Sequence, residues 1–214
     1  MKLFYMNANT LSSADIELIL ARSEAYRIEK YEKAGSSYSA KESLCAGALL
    51  RYAVSNCAAV SFDSVRSGYA MDGRPVLLCP ESVKSLYISL SHTEGHIFCA
   101  VSEFPVGVDA EHVRAFDKAL IERFFTTEEQ KYIASSHTVD EAQTRFFDIW
   151  TTKEAYFKCG YENLVSFLKV DSLTVKGKVS KRYGKLLITV VGEGLYTEVE
   201  DVTEMVIAFF GENG

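Results

Sequence analysis

Hydrophobic and polar positions change period several times along the chain. Residues 2–6 form a short apolar run that predicts a strand, and 13–33 is polar and helix-prone, with Asp15 and Glu17 suited to a helix start. Gly35, Ser36 and Ser37 break that stretch. Leu44, Ala48 and Tyr52 recur at a spacing of four and predict a helix over 39–55. From 86 to 91 the period falls to two, with Leu86, Ile88 and Leu90 alternating against Tyr87, Ser89 and Ser91. Residues 97–102 can pair with this strand across a turn at Thr93, Glu94 and Gly95, which puts His92 at a strand end. A further strand is predicted at 106–111, helices at 116–125, 128–135 and 141–159, and strands at 168–175 and 186–191, with 206–210 closing the sheet.

Each half of this pattern contains helices and a late run of strands, which predicts an α+β fold arising by duplication. The seam falls near Phe104 and Pro105, giving an N-terminal lobe of 1–104 and a C-terminal lobe of 105–214; no residue-level repeat accompanies it. At 214 residues with 48% hydrophobic content the chain can bury a substantial core, which excludes wholesale disorder. A net charge of −6 argues against a nucleic-acid binder with a broad basic surface and leaves open a small anion in a local basic pocket. Five scattered cysteines, Cys45, Cys57, Cys79, Cys99 and Cys159, lack any C-x-x-C spacing and read as reduced thiols of a cytoplasmic protein. The first residues lack a signal-peptide pattern and no run approaches a membrane span, so neither secretion nor membrane insertion is expected.

The chemistry concentrates in two segments, VGVDAE at 106–111 and WTTKEAYFK at 150–158. On an extended strand Asp109 and Glu111 share a face, while Val106, Val108 and Ala110 take the other. On a helix Trp150, Glu154 and Lys158 line one stripe. Three carboxylates with Lys153 and Lys158 point to magnesium holding a phosphorylated substrate, since Mg²⁺ takes a few carboxylates and leaves positions to phosphate oxygens. Each piece also has a plainer reading. Asp-x-Glu is commonly a solvated pair, and Glu154 with Lys158 is a common helix-surface pair. Against these stand Gly107, which admits a ligand or another backbone, and the aromatic surroundings of the helix, Phe146, Phe147, Ile149, Trp150, Tyr156 and Phe157, which bury charged neighbours. His92, in Ser89-Leu90-Ser91-His92, is either a polar cap or a phosphate contact. Arg74, in Gly73-Arg74-Pro75, is either an exposed turn residue or a phosphate or base contact. Arg27, Lys30, Lys33 and Lys41 are solvated helix charges or, if their faces converge, a second phosphate site.

Taken in order, these motifs, with Phe124-Phe125 and Glu128-Glu129 between the last two, resemble the Sfp-type 4'-phosphopantetheinyl transferases, within the superfamily of holo-acyl- and peptidyl-carrier-protein synthases. The resemblance covers roughly 27–158. It implies two similar α+β lobes in a pseudo-twofold arrangement, with the active site at the lobe interface, in a monomeric cytoplasmic enzyme. The implied reaction moves the phosphopantetheine arm of coenzyme A to a serine of an apo acyl or peptidyl carrier protein and releases adenosine 3',5'-bisphosphate. Asp109, Glu111 and Glu154 would then ligate Mg²⁺, and Lys158 and His92, with neighbouring Ser91, would contact pyrophosphate. Arg74, Lys30 and Lys41 would hold the adenosine and its 3'-phosphate, and Glu154 would draw the proton from the attacking serine. Glu128 or Glu129 would supply an auxiliary acid, and residues 160–169 would form either a carrier-docking patch or core. The alternatives are a non-catalytic relative that binds coenzyme A or the carrier, and a Mg-dependent coenzyme A hydrolase.

Overall fold

The computed structural model describes residues 1–34, 37–69, 75–78, 83, 85–160, 167–194 and 198–211. It is a mixed α+β structure that divides into two compact units, one formed by 1–103 with 195–214, the other by 104–194.

In the first unit, β1 (Lys2–Asn7) pairs antiparallel with β5 (His96–Ser102), which in turn pairs antiparallel with β4 (Tyr87–Thr93). A parallel strand, β9 (Val199–Asp201), lies on the other edge of β1 and gives the order β4-β5-β1-β9. Against this sheet lies α3 (Tyr38–Ala58), whose Leu44, Leu49 and Val54 join Phe4, Met6, Ile97 and Cys99 in a core without solvent access. The shorter α1 (Ser13–Ala21) begins with a Ser12–Asp15 capping box, and α2 (Ala25–Lys33) follows it. The polar stretch 13–33 is therefore two helices, separated at 22–24. A two-stranded ribbon, β2 (Ser67–Tyr69) with β3 (Pro75–Leu77), precedes β4. The β4–β5 turn places Glu94 at φ 47° and Gly95 at φ 81°, the paired left-handed conformations of a tight hairpin.

In the second unit, β6 (Val106–His112) pairs antiparallel with β8 (Leu186–Gly192), which pairs antiparallel with β7 (Lys178–Tyr183). The long α6 (Val139–Lys158) lies on this sheet, flanked by α4 (Lys118–Phe124) and α5 (Thr127–Ala134). Phe116, Phe125, Phe146 and Phe147 fill the space between the helices and Leu187, and the rings of Phe116 and Phe146 stack at 4.4 Å.

Two expectations are corrected. Residues 168–175 form two short 3-10 turns, Phe167–Lys169 and Ser172–Thr174, rather than a strand. The carbonyls of Leu168 and Val170 accept hydrogen bonds from the Lys153 ammonium, which takes acceptors a ladder would have used. Residues 206–210 belong to a helix, α7 (Thr203–Gly211), that sends Val206 and Phe210 into the first unit's core. With β9 paired to β1, the last stretch of chain clusters with the first unit.

Candidate functional site

The side chains Asp109 and Glu111 leave β6 on the same side as Gly107, as the two-residue period requires. That side faces α6. A Cβ on Gly107 would lie 1.8 Å from the Ala155 carbonyl oxygen and 2.7 Å from the Cys159 nitrogen, so strand and helix backbones meet where the side chain is missing. Thr189, opposite Asp109 across the β6–β8 pair, hydrogen-bonds the Thr151 hydroxyl at 2.7 Å and fixes the helix against the sheet one turn earlier. The residues preceding the two contacted positions on α6 are Glu154 and Lys158. Lys158 Nζ donates to Asp109 Oδ1 at 2.7 Å, and Asp109 is 6% exposed.

Glu154 and Glu111 complete the cluster. Burial, then repulsion from Asp109, pushes the Glu154 carboxyl above the ordinary glutamate range; Lys158 opposes the shift and Glu111 adds to it. Burial and Asp109 likewise raise Glu111, against the pull of Arg114, whose Nη1 donates to Glu111 Oε2 at 3.1 Å. Glu111 and Glu154, both raised by burial and by Asp109, form with it an all-oxygen, anionic set, the donor chemistry that suits a hard divalent cation. Among the described residues no three His, Cys, Asp or Glu side chains already stand as a complete ligand set. Magnesium does not require one, because it retains waters and shares its positions with phosphate oxygens. The donor chemistry fits the ion.

The other candidates lie in the first unit. His92 occupies the next-to-last position of β4, 40% exposed in its side chain, with Nδ1 3.1 Å from Glu42 Oε2 on α3. Ser91, beside it, is buried. Lys30 is exposed near the end of α2, and Lys41 is half-buried in the first turns of α3. Arg74 lies outside the described residues, as do 161–166 of the suggested docking stretch. Arg27 is withdrawn from solvent altogether: its guanidinium donates to the Ser43 carbonyl and the Ser67 hydroxyl, and only a glycine at 47 leaves room for it.

Burial separates Glu128 from Glu129. Glu128 is exposed and pairs with Lys131 on the surface of α5. Glu129 has no solvent access: it caps the Thr126 amide, accepts the Ser172 amide at 2.8 Å and pairs with Lys153 Nζ at 3.0 Å. Lys153 is equally buried, with its proton affinity lowered by burial and partly restored by Glu129. Glu129 and Lys153 therefore tie α5, α6 and the 168–172 turns together. The sequence signal for that tie was the presence of charge inside an aromatic helix. Glu42 carried no such signal, because its partners, His92 and Gly95, lie fifty residues or more away.

No helix among the described residues is long and apolar enough to cross a membrane. Residues 105–202, which contain β6, α6 and the carboxylate cluster, match the family described as the 4'-phosphopantetheinyl transferase superfamily. Over that stretch the chain is similar to this superfamily. Named relatives agree with the match. The chain is 29% identical over 119 residues to the 4'-phosphopantetheinyl transferase psf-1 of Bacillus pumilus, covering 56% of this chain and 49% of the relative. It is 35% identical over 74 residues to the transferase gsp of Aneurinibacillus migulanus, covering 34% of this chain and 30% of that one. To the transferase ffp of Bacillus subtilis it is 26% identical over 174 residues, covering 79% and 75%. The matched region thus spans about half the length of the first of these relatives and less than a third of the second.

Proposed function

We propose that this chain transfers the 4'-phosphopantetheine arm of coenzyme A to a serine hydroxyl of an apo acyl or peptidyl carrier protein, with adenosine 3',5'-bisphosphate as the leaving group. The observation that carries this reading is the convergence of Asp109, Glu111, Glu154 and Lys158 where α6 closes on Gly107, within the stretch that matches the transferase superfamily.

In this reading Asp109, Glu111 and Glu154 hold Mg²⁺. The bound ion would neutralise pyrophosphate charge and favour departure of the bisphosphate. Lys158, partly exposed and seated on Asp109, offers its ammonium to a pyrophosphate oxygen as a point charge. Glu154 is fixed by a helix whose turns are packed on both sides of it, and burial favours its protonated form, which suits a group that takes the serine proton directly or through water. His92 and Ser91 contact phosphate oxygens, and Lys30, Lys41 and Arg74 hold the adenosine and its 3'-phosphate. The proposal includes a monomeric, cytoplasmic enzyme of two pseudo-twofold lobes. In support of the lobes, each unit lays one long helix on a sheet of mainly antiparallel strands.

The test is intact-mass analysis of an apo carrier protein incubated with this protein, coenzyme A and Mg²⁺, with and without chelator. A Mg-dependent gain of one phosphopantetheine is expected. Bisphosphate release without a carrier would indicate a hydrolase, and coenzyme A binding without release or transfer would indicate a binding-only relative.

A further inference from the structure

His92 is not held by its strand alone. The turn that follows it is fastened from three sides: Ala8 N donates to the Gly95 carbonyl at 2.8 Å, Asn9 Nδ2 donates to the Glu94 carbonyl at 2.8 Å, and Gly95 N donates to Glu42 Oε1 at 2.7 Å. Tyr38 Oη in turn donates to Asn9 Oδ1 at 2.6 Å. Glu42 is 7% exposed, and its second oxygen is the one that meets His92 Nδ1. A single buried carboxylate thus clamps both the turn and the imidazole, one oxygen to each.

We infer that Glu42 is a positioning residue for His92, orienting the ring so that Nε2 is presented to an anionic phosphate oxygen of coenzyme A. The inference rests on the functional reading above and adds a residue to it. A carboxylate can only accept, so Nδ1 carries the proton in this pair. The side chain of His92 is 40% exposed, and Nε2 is the ring nitrogen that Glu42 does not hold. With Nδ1 held by the carboxylate, the ring plane is fixed and Nε2 is the nitrogen left to meet a ligand. The arrangement parallels metal-ligating histidines, whose second nitrogen is held by a carboxylate that fixes tautomer and orientation. Here the ligand is an anion rather than a metal, and the carboxylate's part is to fix which way the ring faces. Glu42 touches no substrate, and its effect passes through the ring.

The test compares wild type, Glu42→Gln, His92→Ala and the double variant, with coenzyme A itself as the probe in calorimetric titration and steady-state transfer. Glu42→Gln should weaken coenzyme A binding about tenfold, the scale of losing a charge-assisted hydrogen bond, and raise KM for coenzyme A by a similar factor while kcat at saturation changes little. The double variant should bind no more weakly than His92→Ala, because the two act as one unit. Histidine-selective ¹⁵N spectra of the wild type should show a protonated Nδ1 at His92, a reading that survives even if Glu42→Gln folds poorly. Unchanged coenzyme A affinity in Glu42→Gln, fully additive losses in the double variant, or an unprotonated Nδ1 in the wild type would each overturn the inference. Those results would leave the transferase reading standing. A wild type that binds no coenzyme A would instead overturn that reading, and this inference with it.

Discussion

Gly107→Ala tests whether the close approach of β6 and α6 builds the site. The added Cβ would sit 1.8 Å from the Ala155 carbonyl oxygen and 2.7 Å from the Cys159 nitrogen, on top of the helical hydrogen bond that joins those two atoms at 2.9 Å. Both are backbone atoms, so no side chain can swing aside. An ordinary contact needs about 3.4 Å, and the two backbones must therefore part by roughly 1.5 Å. Overpacking of this kind costs about 3 kcal/mol, the upper end for a one-carbon insertion because the obstacle is backbone. The larger effect falls on geometry. Glu154 and Lys158 ride on the displaced helix, so the 2.7 Å contact of Lys158 with Asp109 opens beyond hydrogen-bond reach. A misplacement of about 1 Å at a reacting centre costs on the order of a hundredfold in rate. Urea midpoints report the stability, and mass-detected carrier modification reports the rate. Gly211→Ala, with no atom within 4 Å of its added carbon, is the control and should leave both nearly unchanged. If Gly107→Ala keeps wild-type stability and transfer within about twofold, the close approach does not position the site and the reasoning fails.

Other expected outcomes follow from the same contacts. Glu154→Gln should lower transfer by about a thousandfold while the protein remains folded, as read by carrier mass and circular dichroism. Because burial and repulsion from Asp109 raise Glu111 and Glu154, the folded protein binds their protons more tightly than the unfolded chain, so their contribution to stability is lost as pH rises through their folded values. In chelator, wild-type melting temperature should therefore fall with rising pH more steeply than that of a Glu111→Gln, Glu154→Gln double variant, and added Mg²⁺ should raise the wild type alone. Lys153→Met strands Glu129 as an unpaired buried charge and should cost about 3–5 kcal/mol in urea unfolding. Lys158→Ala should raise KM for coenzyme A; global unfolding of that variant would assign the lysine a structural role instead.

The chain announces some of these features and conceals others, for physical reasons. Period-two alternation at 86–91 and the spacing of apolar residues in 39–55 were readable because those apolar side chains pack in or against the first unit's core, and β4 and α3 follow. The cluster was readable because Asp109 and Glu111 lie two apart on a strand and Glu154 and Lys158 four apart on a helix, so local geometry groups them before any tertiary contact forms. The failures are tertiary. Residues 206–210 are apolar on every side, and a short run of that kind has no period to separate strand from helix. The strand β7 was not anticipated, because Lys178, Ser180, Lys181 and Arg182 give a polar edge with no buried face. Residues 168–175 alternate like a strand, yet their carbonyls are claimed by a lysine fifteen or more residues earlier in the chain. Glu42 and His92 meet only because α3 lies along β4 and β5, a contact invisible to any window of sequence.

The parallel pairing of β9 with β1 also orders events during synthesis. All of 104–194 is contiguous and leaves the ribosome as one piece, so the second unit can fold as soon as it emerges. The first unit cannot. Its sheet keeps one side of β1 open, and its core lacks Val206 and Phe210, until the translation machinery has passed residue 211. During that interval β1 presents unpaired amides and carbonyls beside exposed apolar side chains, the condition in which nascent strands pair with the wrong neighbour. The later-made half of the chain should therefore mature first, and a chain stalled before residue 199 should leave the earlier half to chaperones.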